Sequence, residues 1–259
     1  MPKFAANLTM LFTELPFLDR FAVASAAGFT AVEYLFPYDY SKQTLAALLR
    51  KHGLKQVLHN LPAGDWAAGE RGIACDPARE KEFAEGVSRA IEYAHALDCP
   101  QLNCLAGKVP PGVHPQEARQ TLLDNLRFAA GLLRSNGIRL LIEPINHFDT
   151  PGFFLTRTDQ ALALMDEVGS DNLFLQYDIY HAQRMEGELG ETLRRHLPRI
   201  GHIQLADNPG RHEPGTGEIN YRWLLPHIDA IGFEGHIGCE YKPLTTTGEG
   251  LHWVKEQLQ

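Results

Sequence analysis

The sequence predicts a single closed (β/α)8 TIM barrel, and three observations support this fold class. The chain has 259 residues, near the roughly 250 that one such barrel takes. Short β-branched and apolar runs alternate with longer segments of helical period, which is typical of βαβ units around a parallel sheet. No glycine-rich phosphate loop follows the first strand, although many doubly wound open sheets have one. We therefore expect residues 1–259 to form one catalytic domain.

Eight segments qualify as strands, and the helices between them carry recognisable end signals. Asp76 followed by Pro77 predicts the start of a long amphipathic helix. Thr156 with Asp159 predicts a capping box at the start of a helix that ends near Gly169. The predicted strands are AANLTMLF from Ala5, AVEYLFP from Ala31, QVLHNL from Gln56, QLNCLAG from Gln101, RLLIEPI from Arg139, LFLQYDIY from Leu173, GHIQLAD from Gly201 and HIGCEYKP from His236.

Composition and charge disfavour several function classes. The formal net charge is -8, and no Lys/Arg cluster provides the basic surface that nucleic acid phosphates need. No apolar run approaches the roughly 20 residues of a membrane-spanning helix. The four cysteines form no C-x-x-C pair, and the opening MPKFAANL does not resemble a secretion signal. We therefore expect a cytoplasmic protein with buried thiols and with neither nucleic acid nor a membrane as partner.

Polar residues stand at the ends of four consecutive predicted strands. The fifth strand ends at Glu143, the sixth at Asp178, the seventh at Gln204 and the eighth at Glu240. Functional residues of a TIM barrel lie at the C-terminal ends of its strands, because the βα loops gather there. Side chains alternate along a strand, so the inward register of Leu141 also turns Glu143 inward. We expect the four polar side chains to meet in one site.

A divalent metal ion is expected at this site. Three carboxylates in an apolar-walled mouth repel one another unless a cation compensates them, and burying an uncompensated acid is costly. The predicted ligands are Glu143, Asp178, Gln204 and Glu240. Because all four offer oxygen atoms, they favour a hard ion such as Mg2+ or Mn2+, with Zn2+ or Co2+ as alternatives.

Glu143 and Glu240 also predict a chemistry. They come from strands on different sides of the site, so one can take a proton from carbon while the other returns it. Moving a carbonyl along a carbon chain requires removal of the proton α to it and stabilisation of the resulting enediolate. The pair therefore predicts an isomerase in which both glutamates are catalytic.

Nearby histidines and cations are candidates for substrate binding. His181 opens the loop after the sixth strand and His59 ends the third strand, so either side chain is placed to bond a substrate oxygen. The Gly-rich segment 60–74 has the composition of a closing lid. The cations expected to bind a substrate carboxylate are Arg71, Lys108 and Lys242, and the sequence does not choose among them.

Three further residues are weaker candidates or structural ones. Arg211 and Glu218 lie in the turn-rich segment 207–221 after the seventh strand and are weaker candidates for the site. His202 lies one inward layer below Gln204, and we expect it to be structural.

Seven segments together carry a resemblance to a known family. They are FAANLTMLF, VEYLFPYDY, LHNLPAGDWAAGERGIAC, LIEPINHFDTPGFFLT, QYDIYHAQRMEGEL, HIQLADNPGRHEPGTGEINY and GCEYKP. Across nearly the whole chain, they resemble the hydroxypyruvate isomerase family of xylose isomerase-like barrels. The resemblance implies interconversion of hydroxypyruvate and tartronate semialdehyde, in glyoxylate metabolism, with Glu143 and Glu240 as proton donor and acceptor and with the same four metal ligands. Many relatives in the wider superfamily have histidine in place of Gln204, which leaves the identity of the metal open.

Four other functions compete with this interpretation. The 2-oxotetronate isomerases share the FAANL and GCEYKP segments, but LHNLPAGDWAAGERGIA favours the hydroxypyruvate type. A sugar 3-epimerase would use the same two glutamates and metal. An apurinic endonuclease would need several zinc ions and a basic DNA face, which this acidic chain lacks. A non-catalytic binding module would show no turnover. The expected partner is a small sugar acid, and a homo-oligomer remains open because such barrels often dimerise.

Overall fold

The computed structural model describes residues 2–254 and contains a closed barrel of eight parallel strands. The strands pair in chain order, and the last closes the barrel against the first. They are β1 (Lys3–Asn7), β2 (Ala31–Glu33), β3 (Lys55–Asn60), β4 (Gln101–Cys104), β5 (Arg139–Ile142), β6 (Leu173–Asp178), β7 (Ile200–Leu205) and β8 (His236–Cys239). Each overlaps a segment predicted as a strand, so the predicted (β/α)8 barrel is confirmed.

Helices follow the strands and cover the outside of the barrel. They are α1 (Arg20–Ala26), α2 (Lys42–His52), α3 (Glu80–Leu97), α4 (Pro115–Ser135), α5 (Thr158–Val168), α6 (Ile179–Met185), α7 (Leu189–His196) and α8 (Tyr221–Ala230). Asp76 Oδ1 accepts from the Ala78 N–H at 2.9 Å and caps the turn before α3, as predicted. The predicted capping box lies one residue later in the chain, with Arg157 rather than Thr156 as the N-cap of α5. The longer Gln160 side chain, rather than Asp159, reaches back to accept from the Thr156 N–H at 3.0 Å.

The main hydrophobic core lies between the strands and the helices, and a smaller apolar layer lies inside the barrel. Leu140 and Ile142 belong to the outer core, whereas Leu141 between them belongs to the inner layer. The inner layer comprises Ala5, Ala31, Val57, Leu58 and Leu141, with Phe174 packed against it. Because side chains alternate along a strand, this register turns Glu143 inward above Leu141, as predicted.

A buried carboxylate, Glu33, organises a polar layer inside the barrel. Glu33 ends β2 and accepts hydrogen bonds from Asn7 Nδ2 at 2.9 Å and Gln204 Nε2 at 2.8 Å. His202 Nε2 lies 2.6 Å from its second oxygen, so His202 has the structural position predicted for it. Gly238 permits this arrangement, because a Cβ atom there would come within 2.3 Å of a Glu33 oxygen.

The structure bears on two expectations from composition, which concern the cysteines and membrane-spanning helices. All four cysteines are buried free thiols, as predicted. Within residues 2–254, no helix combines the length and the apolar character needed to cross a bilayer.

Candidate active site

A cavity of about 620 Å³ opens at the C-terminal mouth of the barrel. Its charged and polar wall includes Glu143, Asp149, His181, Glu240, Arg71, Arg184, Arg211 and Lys242. Leu35, Trp66, Leu105 and Ile145 contribute apolar surface. Charged and polar side chains that converge in one concave site are typical of a binding site for a small polar ligand.

Glu143 and Asp178 lie on neighbouring strand ends at the base of this cavity. Glu143 follows β5, is 5% exposed, and accepts a hydrogen bond from Asn103 Nδ2 at 2.8 Å. Asp178 ends β6 and caps α6, because its Oδ1 atom accepts from the Tyr180 N–H at 2.8 Å. Its Oδ2 atom is buried and has no hydrogen-bond partner among the described residues. A carboxylate oxygen at this depth is destabilising unless a donor or a cation meets it.

Glu240 faces these carboxylates from the end of β8 and is paired with Arg211. Asn7 Nδ2 donates to Glu240 Oε1 at 3.2 Å, and Arg211 Nη2 donates to Glu240 Oε2 at 2.7 Å. The same Nη2 atom lies 3.8 Å from Asp178 Oδ2. The guanidinium therefore supplies positive charge between carboxylates from β6 and β8.

Arg211 reaches the site from the loop after β7, which Asp207 holds in place. The Asp207 carboxylate accepts from the Gly215 N–H at 2.8 Å and from the Ile219 N–H at 3.1 Å. The Lys242 N–H donates to the Arg211 carbonyl at 2.8 Å. Arg211 has a φ of 56°, in the left-handed region that non-glycine residues rarely adopt. Several contacts thus fix the backbone that directs this side chain into the cavity.

Burial and mutual repulsion raise the pKa of all three carboxyl groups. Burial raises the pKa of Glu240 to about 8, and the charges of Asp178 and Glu33 act in the same direction. Burial and the charges of Glu240 and Asp178 raise the pKa of Glu143 well above its usual range. Burial also raises the pKa of Asp178, although Arg211 opposes it. An added cation would therefore stabilise the ionised forms.

His181 is a neutral imidazole in the wall of the cavity. Burial lowers its pKa well below the usual value, and the charges of Arg211 and Arg184 act in the same direction. Its Nδ1 atom lies 2.6 Å from Asn146 Nδ2 and 3.4 Å from the Asn146 backbone nitrogen. Both of these nitrogens are donors, so Nδ1 accepts and the neutral ring carries its proton on Nε2. His181 is thereby set to donate a hydrogen bond through Nε2.

The grouping of acidic and imidazole side chains fits a metal ion. Ligand atoms of Glu143, Asp178 and His181 lie within 4.8 Å of one another, and all three residues are buried. The unpartnered Oδ2 atom of Asp178 belongs to this group. Carboxylate oxygens are the ligand atoms that a hard divalent cation prefers.

Comparisons with known proteins agree with this fold. A family model described as "Xylose isomerase-like TIM barrel" matches residues 21–257. The chain belongs to this family. A curated member of Escherichia coli (strain K12), "Hydroxypyruvate isomerase", is 57% identical over 254 residues, which are 98% of this chain and 98% of that protein. The predicted resemblance to the hydroxypyruvate isomerase family is therefore confirmed.

Two other similar proteins carry different names. A "2-oxo-tetronate isomerase" of Cupriavidus necator is 48% identical over 258 residues, covering 100% of this chain and 99% of that protein. A crystal structure described as an AP endonuclease, family 2, from Brucella melitensis is 43% identical, with a TM-score of 0.96 and 99% of each chain covered. The two curated relatives from Escherichia coli and Cupriavidus necator are both named as isomerases, as expected for the predicted enzyme class.

The barrel brings most of the residues predicted for the site together. Five of them line the cavity, namely Glu143, Glu240, His181, Arg71 and Lys242. His181 lies in the first turn of α6 rather than in a loop, because Asp178 caps a helix there. Gln204 lies one layer lower, where its Oε1 atom accepts from Gln176 Nε2 at 2.6 Å while its own Nε2 atom bonds Glu33.

The structure does not bring His59 and Lys108 to the cavity wall. His59 is fully buried beside Tyr38 and the Asn60 carbonyl, and burial lowers its pKa to about 4. Lys108 is exposed and forms an isolated backbone bridge with Phe153. Both residues lie at or beyond strand ends, but one points into the protein and the other lies on a loop whose path the sequence did not define.

The predicted lid segment contributes an aromatic ring and a guanidinium to the cavity. Arg71 Cζ lies 4.0 Å from the centre of the Trp66 ring, and Arg71 Nη1 donates to the Trp66 carbonyl at 3.1 Å. Trp66 also packs against Phe36, with ring centroids 5.1 Å apart. These contacts hold the Arg71 guanidinium over the site by cation–π stacking.

The sequence interpretation missed several polar residues of the site. Arg211 was only a weaker candidate, yet it pairs directly with Glu240. Asn7, Glu33 and Asn103 lie on β1, β2 and β4 and hold the catalytic candidates in place. A second network joins Asp149, Tyr180 and Arg184, with 2.7 Å between Tyr180 Oη and Asp149 Oδ2 and 2.9 Å between Arg184 Nη1 and Asp149 Oδ1. Side-chain alternation would have indicated Asn7 and Glu33, because each lies two residues after an alanine of the inner layer, Ala5 and Ala31.

The raised pKa of Glu240 predicts how the stability of the metal-free protein depends on pH. In the unfolded chain a glutamate titrates near about 4.3, whereas in the folded protein Glu240 titrates at about 8. The folded state thus binds the proton more tightly than the unfolded state does. This proton stabilises the fold fully below the unfolded pKa, and the stabilisation is lost as pH rises through the folded pKa. We expect the free energy of unfolding to fall by up to about 1.4 kcal/mol per pH unit between these values.

Urea unfolding with EDTA at pH 5, 6.5 and 8 measures this slope in the wild type and in Glu240→Gln. The variant carries no titrating group at this position, so its stability should decline less steeply with pH. Equal slopes for the two proteins would contradict the assignment of the proton to Glu240.

Proposed function

We propose that the protein interconverts hydroxypyruvate and tartronate semialdehyde by proton transfer through an enediolate. One observation carries the proposal: two buried carboxyl groups, Glu143 and Glu240, line one cavity together with cations that suit a small anionic substrate. The full-length relative at 57% identity that is named hydroxypyruvate isomerase supports the choice of substrate.

Substrate binding would use the cations of the cavity wall. Arg71 and Lys242 both line the cavity, and no carboxylate lies within salt-bridge distance of either among residues 2–254. They are therefore free to pair with a substrate carboxylate, and the planar Arg71 guanidinium offers two parallel donors. The Nε2 proton of His181 would bond a carbonyl or hydroxyl oxygen of the same substrate. Lys108 and His59, which the sequence also predicts as substrate-binding residues, are not among the residues that line this cavity.

A divalent cation fits the residues present. Glu143, Asp178 and Glu240 would hold it, and the second lone pair of Gln204 Oε1 would provide the fourth ligand. The unpartnered Asp178 Oδ2 atom and the raised carboxyl pKa values support such an ion. When bound, Mg2+ or Mn2+ supplies positive charge that stabilises the oxygens of an enediolate. We assign His181 to the substrate rather than to the ion, because the proton on its Nε2 atom makes that atom a donor.

Proton transfer would be shared by the two glutamates. One glutamate, as the carboxylate, removes a proton from the hydroxymethyl carbon of hydroxypyruvate. The other glutamate, as the carboxylic acid, delivers a proton to the adjacent carbon. A proton also moves from the hydroxyl oxygen of the first carbon to the carbonyl oxygen of the second. Asn103 orients Glu143, and Asn7 and Arg211 orient Glu240, so both groups are held towards the cavity. A pKa of about 8 places Glu240 near neutral pH, where a carboxyl group both accepts and donates protons efficiently, and burial shifts the pKa of Glu143 in the same direction.

The main rival is a 2-oxo-tetronate isomerase, which the relative at 48% identity supports. The two activities are separated by incubating metal-restored protein in D2O with each acid and following the products by proton NMR. We expect kcat/KM to be about tenfold or more higher for the three-carbon acid, and we expect metal-stripped protein to be inert. Preference for the four-carbon acid would contradict the proposed substrate but would still support an isomerase activity. A product inverted at carbon without carbonyl transfer would favour a 3-epimerase.

Nuclease activity is not proposed, although one similar structure carries an endonuclease description. The formal net charge of -8 opposes the phosphate contacts that DNA binding needs. We propose instead a small sugar acid as the partner and the cytoplasm as the location, which the four buried thiols support. A homo-oligomer remains an expectation from the barrel type alone.

A further inference from the structure

A second cavity, of about 650 Å³, opens at the opposite, N-terminal mouth of the barrel. Residues from the starts of β3, β4, β5 and β8 line it, as does the end of α2. Because the catalytic residues lie at the C-terminal ends of the strands, this cavity is separate from the candidate active site. We call it the lower cavity.

Positive charge dominates the lower cavity. Arg50, Lys55 and Arg139 line it, whereas Asp98 is the one acidic residue in its wall among those described. No carboxylate lies within salt-bridge distance of the three cations in residues 2–254, and the one contact found for the Arg139 guanidinium is the Phe174 ring, 5.7 Å away. On a chain with a net charge of -8, a cluster of unpaired cations around a concave surface attracts an anion.

Two buried glutamine side chains in the same wall have carbonyl oxygens that lack a hydrogen-bond donor. Gln56 and Gln101 are 2% and 4% exposed, and both line the lower cavity. Their Nε2 atoms are already engaged, Gln56 with the Leu58 carbonyl at 2.6 Å and Gln101 with His202 Nδ1 at 3.3 Å. Their Oε1 atoms have no partner among the described residues. A buried carbonyl without a donor is destabilising by about 1–3 kcal/mol, and hydroxyl groups of a ligand would satisfy it.

We propose that the lower cavity binds a small hydroxylated anion. The guanidinium of Arg139 and the ammonium of Lys55 bind its carboxylate or phosphate, and its hydroxyls donate to Gln56 and Gln101. This combination suits sugar acids and sugar phosphates equally, since both join one anionic group to several hydroxyls. The site does not depend on the proposed isomerase activity, because none of its residues lines the catalytic cavity.

The test is an NMR titration of the Mg2+-loaded, 15N-labelled full chain at constant ionic strength. The probes are D-gluconate, glycerol 3-phosphate, acetate and glycerol. We expect saturable shifts at the backbone amides of Gly201, Gly235 and His236 with gluconate, glycerol 3-phosphate or both, and the responding probe identifies the anionic group. Acetate should bind about tenfold or more weakly because it lacks hydroxyls, and uncharged glycerol should give no saturable shift.

Variants assign these shifts to the cavity. Arg139→Gln and Lys55→Gln should each weaken binding about tenfold. Arg222→Gln, which removes the same charge at the start of α8, should leave it unchanged. The proposal is overturned if all three variants bind like wild type, or if the probes shift only amides such as those of Tyr180 and Glu240 at the catalytic mouth. Having two variants protects the test against a folding defect in either one.

Discussion

Glu143→Gln and Glu240→Gln are each expected to lower kcat for isomerisation by about two to four orders of magnitude, the usual contribution of a positioned acid or base. Glutamine keeps the size of the side chain but neither accepts nor releases a proton at a useful pKa. Because the two groups act on different carbons, the loss of either one should stop net isomerisation. Proton NMR in D2O with metal-restored protein measures both turnover and deuterium incorporation.

Deuterium exchange distinguishes the two glutamates from each other. If one variant still exchanges the substrate proton without forming product, its remaining glutamate is the one that removes the proton. Glu92→Gln serves as the matched control, since Glu92 is exposed on α3 and pairs with Lys42. Retention of wild-type turnover in both site variants would exclude the two-glutamate mechanism. An equal loss of turnover in Glu92→Gln would mean that the loss arises from damage during preparation of the variants and not from the site.

The rule that functional residues lie at the C-terminal ends of barrel strands located Glu143 and Glu240, because it depends on short-range geometry. Alternation along β5 and β8 fixes which side chains turn inward, and the parallel barrel brings the strand ends to one mouth. Glu143 and Glu240 could therefore be placed by reading the sequence alone. The same rule overestimated His59, because β3 continues to Asn60, which lines the cavity, while His59 packs against Tyr38.

Loop residues could not be placed in this way. Arg211 is seven positions beyond Gln204, and its direction depends on the Asp207 contacts and on a left-handed backbone conformation. Lys108 also follows a strand, yet its loop carries it outside the cavity. Nothing in local sequence spacing distinguishes these two outcomes, because each is decided by contacts between residues that are distant along the chain. The lower cavity could not be predicted for another reason: it is lined by the first residues of the strands, whereas the rule for TIM barrels concerns their C-terminal ends.

Arg211→Met is expected to change metal and substrate affinity in opposite directions. Arg211 Nη2 lies 2.7 Å from Glu240 Oε2 and 3.8 Å from Asp178 Oδ2, so its charge neutralises the carboxylates that would hold a divalent ion. Removing that charge removes a repulsion on the ion, and Mn2+ should bind about tenfold or more tightly. The KM for hydroxypyruvate should rise by about 10-fold to 100-fold, because a cation is lost from a wall that binds an anion.

Electron paramagnetic resonance of free Mn2+ measures the first effect without any turnover, and steady-state kinetics measures the second. Arg184→Met is the matched control: it removes an equal charge from the same cavity, but Arg184 Nη1 pairs with Asp149 and not with Glu240. Its Mn2+ affinity should change much less. Weaker Mn2+ binding in Arg211→Met would mean that the guanidinium organises the carboxylates rather than competing for them. The ion and Arg211 would then act together, and the Arg211–Glu240 pair would have to persist in the metal-loaded enzyme.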